Sequence, residues 1–298
     1  MSLFIQGMRR SGTTILFDAL LEDPEVVGFY EPLREQDVTV GGGSGARGDD
    51  AFAATRDRRE RFAQERYPAL AIDDFNWGGP RDPALELEAG LPDHVRDFLA
   101  SLIAEGPGGA IKETRLYRKL PAVAELDPEG QLVHLVRDPR SVVASTMLGR
   151  GRRHAESYPT ADDFFEACTG RKLWSSRALS EGIIGERGSG VAKWRRPPDF
   201  ARVLAVWAYA FEQTRLGAEA FGERALLLRH EDLVADPHTA LDRVYELLER
   251  PLPEAVSRWA RDNVRAASGT PFGDDPRWTE AAERLGVSEA VSAAGYAA

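Results

Sequence analysis

The stretch Gly7-Met8-Arg9-Arg10-Ser11-Gly12-Thr13-Thr14 decides the fold of this chain. It follows the apolar run Leu3-Phe4-Ile5 and leads into the mostly apolar run 15–21. A short buried strand, a glycine-bearing turn and an apolar helix, in this order, form the setting in which backbone N–H groups and a helix N-terminus hold a phosphate. We therefore expect an anion-binding turn between the first strand and the first helix of an α/β sheet.

The spacing of residues 7–14 is G-x-x-x-x-G-T-T, which is that of a P-loop in every respect but one. The lysine that reaches the outer phosphates of ATP belongs at position 13, where this chain has Thr13. Positive charge comes instead from Arg9 and Arg10, just before the turn closes. The turn is therefore predicted to bind a phosphate-like group, but not ATP in the usual way.

Composition limits the class of protein. The net charge of −10 over 298 residues argues against general nucleic-acid binding, which needs a basic face. The single cysteine, Cys168, excludes a disulfide within the chain and a metal site built on several thiolates. No apolar run approaches the roughly 18 residues that a membrane span needs, and the first strand begins at residue 3. We expect a cytoplasmic protein without a membrane span, and the sequence leaves its oligomeric state open.

Strand and helix patterns alternate along the chain. Alternation of this kind predicts an α/β fold, with a P-loop-like parallel sheet flanked by helices on both faces, as a single domain over residues 1–298. The predicted strands are 3–5, 26–30, 109–112, 132–136 and 225–228, and the predicted helices are 15–21, 50–66, 92–104, 117–126, 139–147, 161–180, 199–220 and 236–249. Residues 32–90 and 150–198 are mostly irregular and are predicted to form the variable acceptor-binding segments.

Charged residues follow the predicted strands at the point where each one ends. In open α/β sheets, ligands bind at the carboxyl ends of the strands. That rule selects the 7–14 turn, Glu31, Lys112, Arg137 and Arg229, of which four supply cations and one a carboxylate. Each residue alone is compatible with a surface ion pair or a helix cap, but together they suit a polyanionic ligand beside one general base.

Three motifs carry a resemblance to sulfotransferases that use 3′-phosphoadenosine 5′-phosphosulfate (PAPS). Residues 10–14, Arg-Ser-Gly-Thr-Thr, are similar to the 5′-phosphosulfate loop of that family. Arg137 at a strand end, followed by Ser145 in the next helix, resembles the 3′-phosphate motif. Residues 228–237 are similar to the late Tyr-Glu-Asp-Leu segment, with His230 where tyrosine is common.

The resemblance implies a set of nucleotide-binding residues. Backbone amides of residues 11–14 and the two threonine hydroxyls would hold the 5′-phosphate, and Arg137 and Ser145 would hold the 3′-phosphate. Arg10 would lie near the bond between the phosphate and the sulfuryl group. No metal is expected, because arginine and lysine suffice for the smaller charge of a sulfuryl group. The implied cofactor-binding residues are Arg9, Arg10, Ser11, Gly12, Thr13, Thr14, Arg137 and Ser145.

The resemblance also bears on the general base. Cytosolic small-molecule sulfotransferases have Lys-Thr-His at the third predicted strand, whereas this chain has Lys112-Glu113-Thr114 and lacks the histidine. It is more similar to the Golgi-type and tyrosylprotein-type members, in which a glutamate soon after the loop takes the proton, and to bacterial members. Glu31 is the preferred base and Glu113 the reserve, and Arg10 and Lys112 complete the implied catalytic set.

The resemblance implies a sulfotransferase that moves a sulfuryl group in line from PAPS to a hydroxyl of a small natural product, a carbohydrate or a lipid. Two alternatives stay open: a P-loop-type nucleotide kinase, and a non-catalytic protein that binds the product, 3′-phosphoadenosine 5′-phosphate (PAP). The aromatic residue that stacks on adenine is open among Trp77, Trp174, Trp194 and Trp207.

Overall fold

The computed structural model describes residues 2–33, 46–71, 74, 83–105, 108–149, 152–169, 177–186, 196–265 and 269–297. The strands within these ranges are Leu3–Gln6 (β1), Val27–Tyr30 (β2), Gly109–Glu113 (β3), Gln131–Val136 (β4) and Ala225–Arg229 (β5). The α-helices are Thr13–Leu20 (α1), Ala46–Arg66 (α2), Pro83–Leu87 (α3), Asp93–Glu105 (α4), Leu120–Leu126 (α5), Pro139–Leu148 (α6), Ala161–Phe165 (α7), Arg177–Glu186 (α8), Asp199–Ala218 (α9), His230–Ala235 (α10), Pro237–Leu247 (α11), Glu254–Asn263 (α12), Arg277–Leu285 (α13) and Ser288–Ala293 (α14).

The chain divides into two compact units. The first, called the sheet unit, consists of Met1–Gly7, Gly12–Val136 and Gln213–Ala266. The second, called the helical unit, consists of Met8–Ser11, Arg137–Glu212 and Ala267–Ala298. The expectation of one domain over residues 1–298 stays a prediction.

The sheet unit is built on five parallel strands in the order β2-β3-β1-β4-β5. Because all strands run in the same direction, their carboxyl ends meet at one edge of the sheet. In the register, Tyr30 lies opposite Lys112, and Val136 lies opposite Arg229. The predicted α/β class and parallel sheet are confirmed.

Helices cover both faces of this sheet, as the alternation of strands and helices predicts. Successive strand residues point to opposite faces, so Ile5 packs in one core with residues of α1, α11 and α12. Phe4 packs in the other core with residues of α4 and α5. The buried strands therefore read as continuous apolar runs, which is typical of a parallel sheet covered on both sides.

In the helical unit, the N-terminus of α6 is capped by a side chain. Asp138 is the N-cap residue, and its side chain accepts a hydrogen bond from the Arg140 N–H at 2.8 Å, with Pro139 at the first helical position. Elsewhere in this unit an aromatic cluster forms a core of its own, with edge-to-face contacts between Phe165 and both Phe200 and Trp278.

The predicted helix over 161–180 is wrong, because α7 ends at Phe165. The Asp199 carboxylate accepts hydrogen bonds from the Thr169 N–H at 2.9 Å and from its hydroxyl at 2.7 Å, and the Asp199 N–H donates to the Ala167 carbonyl at 2.8 Å. These bonds hold residues 167–169 outside a helix. The three helices α12, α13 and α14 lie in a region for which the sequence analysis makes no prediction.

A buried lysine holds α3 in the sheet unit. Lys119 is 1% exposed, and its ammonium donates to the backbone carbonyls of Leu85, Glu86 and Glu88 at 3.3, 3.1 and 3.0 Å. Carbonyls at the end of a helix have no intrahelical donor, so a cation there satisfies them. Burial lowers the pKa of Lys119 to about 8, against the opposing effect of Glu86.

Across the described ranges, the structure contains no helix that is long and apolar enough to cross a membrane.

Candidate functional site

The first part of the 7–14 turn belongs to the helical unit. The Ser11 N–H donates to the Met8 carbonyl at 3.0 Å, which closes a tight turn over residues 8–11. Arg10 has φ of 77°, in the left-handed region that non-glycine residues rarely adopt. Its backbone carbonyl accepts a hydrogen bond from the Arg137 guanidinium at 3.0 Å. The structure therefore brings together Arg10 and Arg137, two of the residues implied in phosphate binding.

The second part of the turn belongs to the sheet unit and begins α1. Gly12 is the N-cap residue with φ of 97°, and among the described residues no side chain caps this helix. A Cβ atom at this position would overlap the imidazole ring of His230. Glycine is thus required both for the backbone conformation and for space. Thr13 is buried and Thr14 half-buried at the start of the helix, where the first N–H groups have no intrahelical acceptor.

Glu31 and Lys112 form an ion pair at the carboxyl ends of β2 and β3. The Lys112 ammonium donates to Glu31 Oε1, and the two side chains are 2% and 12% exposed, respectively. The backbone joins the same residues, because the Glu31 N–H donates to the Lys112 carbonyl at 2.8 Å. Glu31 has φ of 44°, so a carboxylate occupies a strained backbone position, and such positions are concentrated at functional sites.

The charge of Lys112 is maintained in spite of its burial. Desolvation disfavours the ammonium form, but the Glu31 carboxylate and Tyr30 oppose this effect and leave the pKa of Lys112 raised above its ordinary value. Lys112 therefore stays a cation across the physiological pH range. A buried cation at a strand end can stabilise negative charge that develops on a ligand.

Glu113, the reserve candidate for the base, lies on the opposite face of β3 from Lys112. Its carboxylate accepts a hydrogen bond from the Leu33 N–H at 2.8 Å in the core beside α4 and α5. Burial and the nearby charge of Glu31 raise the pKa of Glu113 to about 7. The geometry assigns Glu113 a contact with the backbone at Leu33 and leaves Glu31 as the carboxylate paired with Lys112.

Tyr30 is a further residue of this site, and no sequence motif indicates it. Its ring lies under the Lys112 ammonium, with 4.0 Å between the nitrogen and the ring centroid. Its hydroxyl is 3.2 Å from Thr14 Oγ1. The parallel register of β2 and β3 sets Tyr30 opposite Lys112, and the sequence alone does not show that register.

The residues implied in 3′-phosphate binding lie in the helical unit. Arg137 directly follows β4, and Ser145 lies two turns into α6, where it is half-buried. The Arg137 carbonyl accepts a hydrogen bond from Trp207 Nε1 at 3.0 Å. Trp207 is 1% exposed and stacks on Phe211 at 5.7 Å, so it belongs to the core rather than to a surface on which adenine stacks. Trp77, Trp174 and Trp194 lie outside the described residues.

The chemistry of these residues suits an anion and a proton transfer. In the sheet unit, the uncapped start of α1 offers N–H donors, and the carboxylate of Glu31 is a proton acceptor beside a buried cation. In the helical unit, the turn at Arg10 carries positive charge. Over the part of the chain that the structure describes, no cluster of three or more histidine, cysteine, aspartate or glutamate side chains is placed to hold a metal ion.

Residues 2–181, well over half of the chain, match the model described as "Sulfotransferase family". None of the curated proteins matches the chain at a significant level. Among solved structures, the chain is similar to a sulfotransferase domain from the curacin biosynthetic pathway, with 14% identity, coverage of 99% of this chain and 97% of that one, and a TM-score of 0.49.

Two further solved structures show the same degree of likeness. A sulfotransferase from Alicyclobacillus acidocaldarius is 13% identical, with coverage of 99% of this chain and 96% of that one and a TM-score of 0.44. Retinol dehydratase in a complex with retinol and PAP is 15% identical, with coverage of 97% and 81% and a TM-score of 0.42. At this level of similarity these likenesses assign no activity.

Proposed function

The chain belongs to the sulfotransferase family, and on that premise we propose that it transfers a sulfuryl group from PAPS to a hydroxyl group of an acceptor. One observation carries the proposal. The buried Lys112–Glu31 ion pair stands at the carboxyl ends of β2 and β3, and Tyr30 connects it to Thr14 at the start of α1. A phosphate-binding helix terminus, a buried cation and a carboxylate base are the groups that sulfuryl transfer needs.

The residues present fit the donor. The first turn of α1 has no side-chain cap among the described residues, so its N–H groups are available to a 5′-phosphate, with the hydroxyls of Thr13 and Thr14 beside them. In the helical unit, Arg9, Arg10, Ser11, Arg137 and Ser145 are the residues proposed to bind the rest of the nucleotide, with Arg137 and Ser145 on its 3′-phosphate. When bound, PAPS supplies the sulfuryl group and leaves as PAP.

Within the proposed reaction, Glu31 takes the proton of the acceptor hydroxyl. A carboxylate has two oxygens and about four lone pairs, so Glu31 can accept this proton while Oε1 accepts from Lys112. Lys112 and Arg10 stabilise the negative charge that develops on the sulfuryl oxygens and on the leaving phosphate oxygen. The bond from the acceptor oxygen to sulfur forms as the bond from sulfur to the phosphate oxygen breaks. No metal ion has a part in this scheme.

The acceptor is proposed by class only: a small natural product, a carbohydrate or a lipid with a free hydroxyl. The variable segments 32–90 and 150–198 are proposed to contact it. Incubation with radiolabelled PAPS across a panel of phenols, sugars, glycolipids and secondary metabolites tests the proposal directly. Labelled product with at least one hydroxyl acceptor is expected, and no transfer to any acceptor contradicts it.

Calorimetry tests the nucleotide site without turnover. We expect PAP to bind more tightly than AMP or ATP, and Arg137→Ala to weaken PAP binding by roughly 10- to 100-fold, the value of one or two charge-assisted hydrogen bonds. AMP affinity is expected to change little, because AMP lacks the 3′-phosphate. Arg215→Ala, which removes an exposed arginine of α9, is the control. Equal affinities for PAP, AMP and ATP contradict the proposal, and tight ATP binding with phosphoryl transfer indicates a kinase instead.

A further inference from the structure

In the sheet unit, Tyr30 contacts both the Lys112–Glu31 ion pair and the first turn of α1. It is the last residue of β2 and is 7% exposed. Its ring faces the Lys112 ammonium at 4.0 Å, and its hydroxyl lies 3.2 Å from Thr14 Oγ1. One side chain therefore lies between the helix that begins at the phosphate-binding turn and the ion pair that contains the proposed base.

The position of Tyr30 is fixed from several sides. Its N–H donates to Thr55 Oγ1 at 3.2 Å, and the Thr55 hydroxyl donates to the Ala51 carbonyl at 2.6 Å. Its ring packs edge-to-face against Phe17 at 5.5 Å and against Phe52 at 5.9 Å. Aromatic rings prefer this arrangement, so the ring and its hydroxyl are held in one orientation by residues of α1 and α2.

The geometry points to Tyr30 as a positioning residue, which holds the Lys112 ammonium against Glu31 with its ring and the Thr14 hydroxyl toward the 5′-phosphate with its own hydroxyl. This inference rests on the proposed function. The face of an aromatic ring carries partial negative charge, so a desolvated ammonium is attracted to it. Because Lys112 is buried away from water, the ring is what holds its ammonium in place. The hydroxyl of Tyr30 orients Thr14 before the nucleotide binds.

Two substitutions separate the ring from the hydroxyl. Tyr30→Phe keeps the ring under Lys112 and removes the partner of Thr14, so we expect the Kd for PAP to rise about threefold to tenfold, the value of one hydrogen bond. Tyr30→Leu removes both, so kcat is expected to fall roughly tenfold further than in Tyr30→Phe. Partial recovery of kcat by phenylalanine relative to leucine is the effect that a merely structural role would not produce.

The control is Tyr245→Phe. Tyr245 is a fully buried tyrosine of the same unit, and its hydroxyl donates to Asp23 Oδ2 at 3.0 Å. Tyr245→Phe is expected to change melting temperature without changing the Kd for PAP or the ratio of kcat to KM. If Tyr30→Leu does not fold, a double-mutant cycle decides by calorimetry alone: Tyr30→Phe should have no further effect on PAP affinity in a Thr14→Val background.

Four outcomes are distinguished. A selective rise in the Kd of Tyr30→Phe, with non-additivity in the Thr14→Val background, supports the inference. Full additivity in that cycle overturns it, as do Tyr30 variants that behave like Tyr245→Phe while the wild-type protein transfers sulfate. Wild-type protein that neither binds PAP nor transfers sulfate overturns the proposed function, and the inference fails with it.

Discussion

Replacing Lys112 with methionine separates the contribution of the buried ion pair to stability from its contribution to transfer. Methionine is close to lysine in length and volume but has no charge, so the substitution leaves the Glu31 carboxylate without its cation. The Lys112 side chain is 2% exposed and that of Glu31 is 12% exposed, so water compensates for little of the loss. Desolvated charges are costly when one partner is removed.

The expected magnitude follows from this burial. Removing one member of a buried ion pair lowers the free energy of unfolding by about 3–5 kcal/mol. Because Glu31 keeps some contact with solvent, we expect the lower end, about 3 kcal/mol. At about 2 °C per kcal/mol for a chain of this size, the melting temperature should fall by roughly 6 °C. The double variant Lys112→Met/Glu31→Gln should recover most of that loss, because a neutral amide then replaces the buried carboxylate.

Thermal unfolding and sulfuryl transfer are measured on the same four proteins: the wild type, Lys112→Met, Glu31→Gln and the double variant. Glu31→Gln and the double variant are expected to bind PAP but to lose turnover by about 10²- to 10⁴-fold, the usual contribution of a general base. Recovered stability without recovered turnover identifies the pair as chemical machinery rather than as support for the fold. Normal turnover by Glu31→Gln removes Glu31 from the role of base.

The matched control is an exposed ion pair of the same unit. Arg258 and Glu254 are 62% and 83% exposed, so water screens their attraction and the i, i+4 pair contributes little to stability. Arg258→Met should therefore change the melting temperature by no more than roughly 1 °C. The reasoning is refuted if Lys112→Met is no more destabilising than Arg258→Met, or if the effects of the Lys112 and Glu31 substitutions simply add.

Two further predictions concern Gly12 and Glu113. Gly12→Ala should lower the melting temperature and weaken PAP binding roughly tenfold, because alanine both strains a backbone with φ of 97° and overlaps His230. The control is Gly222→Ala, which measures the backbone effect alone, because Gly222 has φ of 58° and no described atom lies within 4 Å of its Cβ position. Because burial raises the pKa of Glu113 to about 7 from an ordinary 4.5, the folded protein keeps a proton there that the unfolded chain releases, so this group's contribution to stability falls as the pH rises from 4.5 to 7. Denaturant unfolding should show that Glu113→Gln gains stability relative to the wild type between pH 5 and pH 8, and a difference that is constant with pH contradicts the assignment.

The parts of the fold that local patterns determine could be predicted from the sequence. Apolar runs locate the strands of the sheet to within one or two residues, and the Asp138-Pro139 cap is visible because its hydrogen bond spans only two residues. The end of α7 was not predictable in this way. It depends on Asp199, which binds Thr169 from 30 positions away and competes with helix continuation.

In the candidate site too, local features could be predicted from the sequence and long-range contacts could not. Residues that follow strands can be listed from the sequence, so Glu31 and Lys112 are identified although 81 positions separate them. The sequence does not show that they bind each other, because that requires the order β2-β3 in the sheet. Tyr30 is missed because, in the sequence alone, a tyrosine at a strand end looks like an ordinary core residue. Only the register of β2 and β3 shows that it lies opposite Lys112. The overlap of a Cβ at Gly12 with His230 likewise depends on long-range packing.

The way in which Lys119 holds α3 has a consequence for how the predicted acceptor-binding segment can diversify. The ammonium donates hydrogen bonds to the main-chain carbonyl oxygens of Leu85, Glu86 and Glu88, not to the side chains of these residues. Every amino acid offers the same carbonyl, so the side chains at 85 and 88 can be exchanged while the course of the backbone is preserved. A library that varies those two positions and leaves Lys119 untouched should thus change side chains of the predicted acceptor-binding segment without changing the course of its backbone.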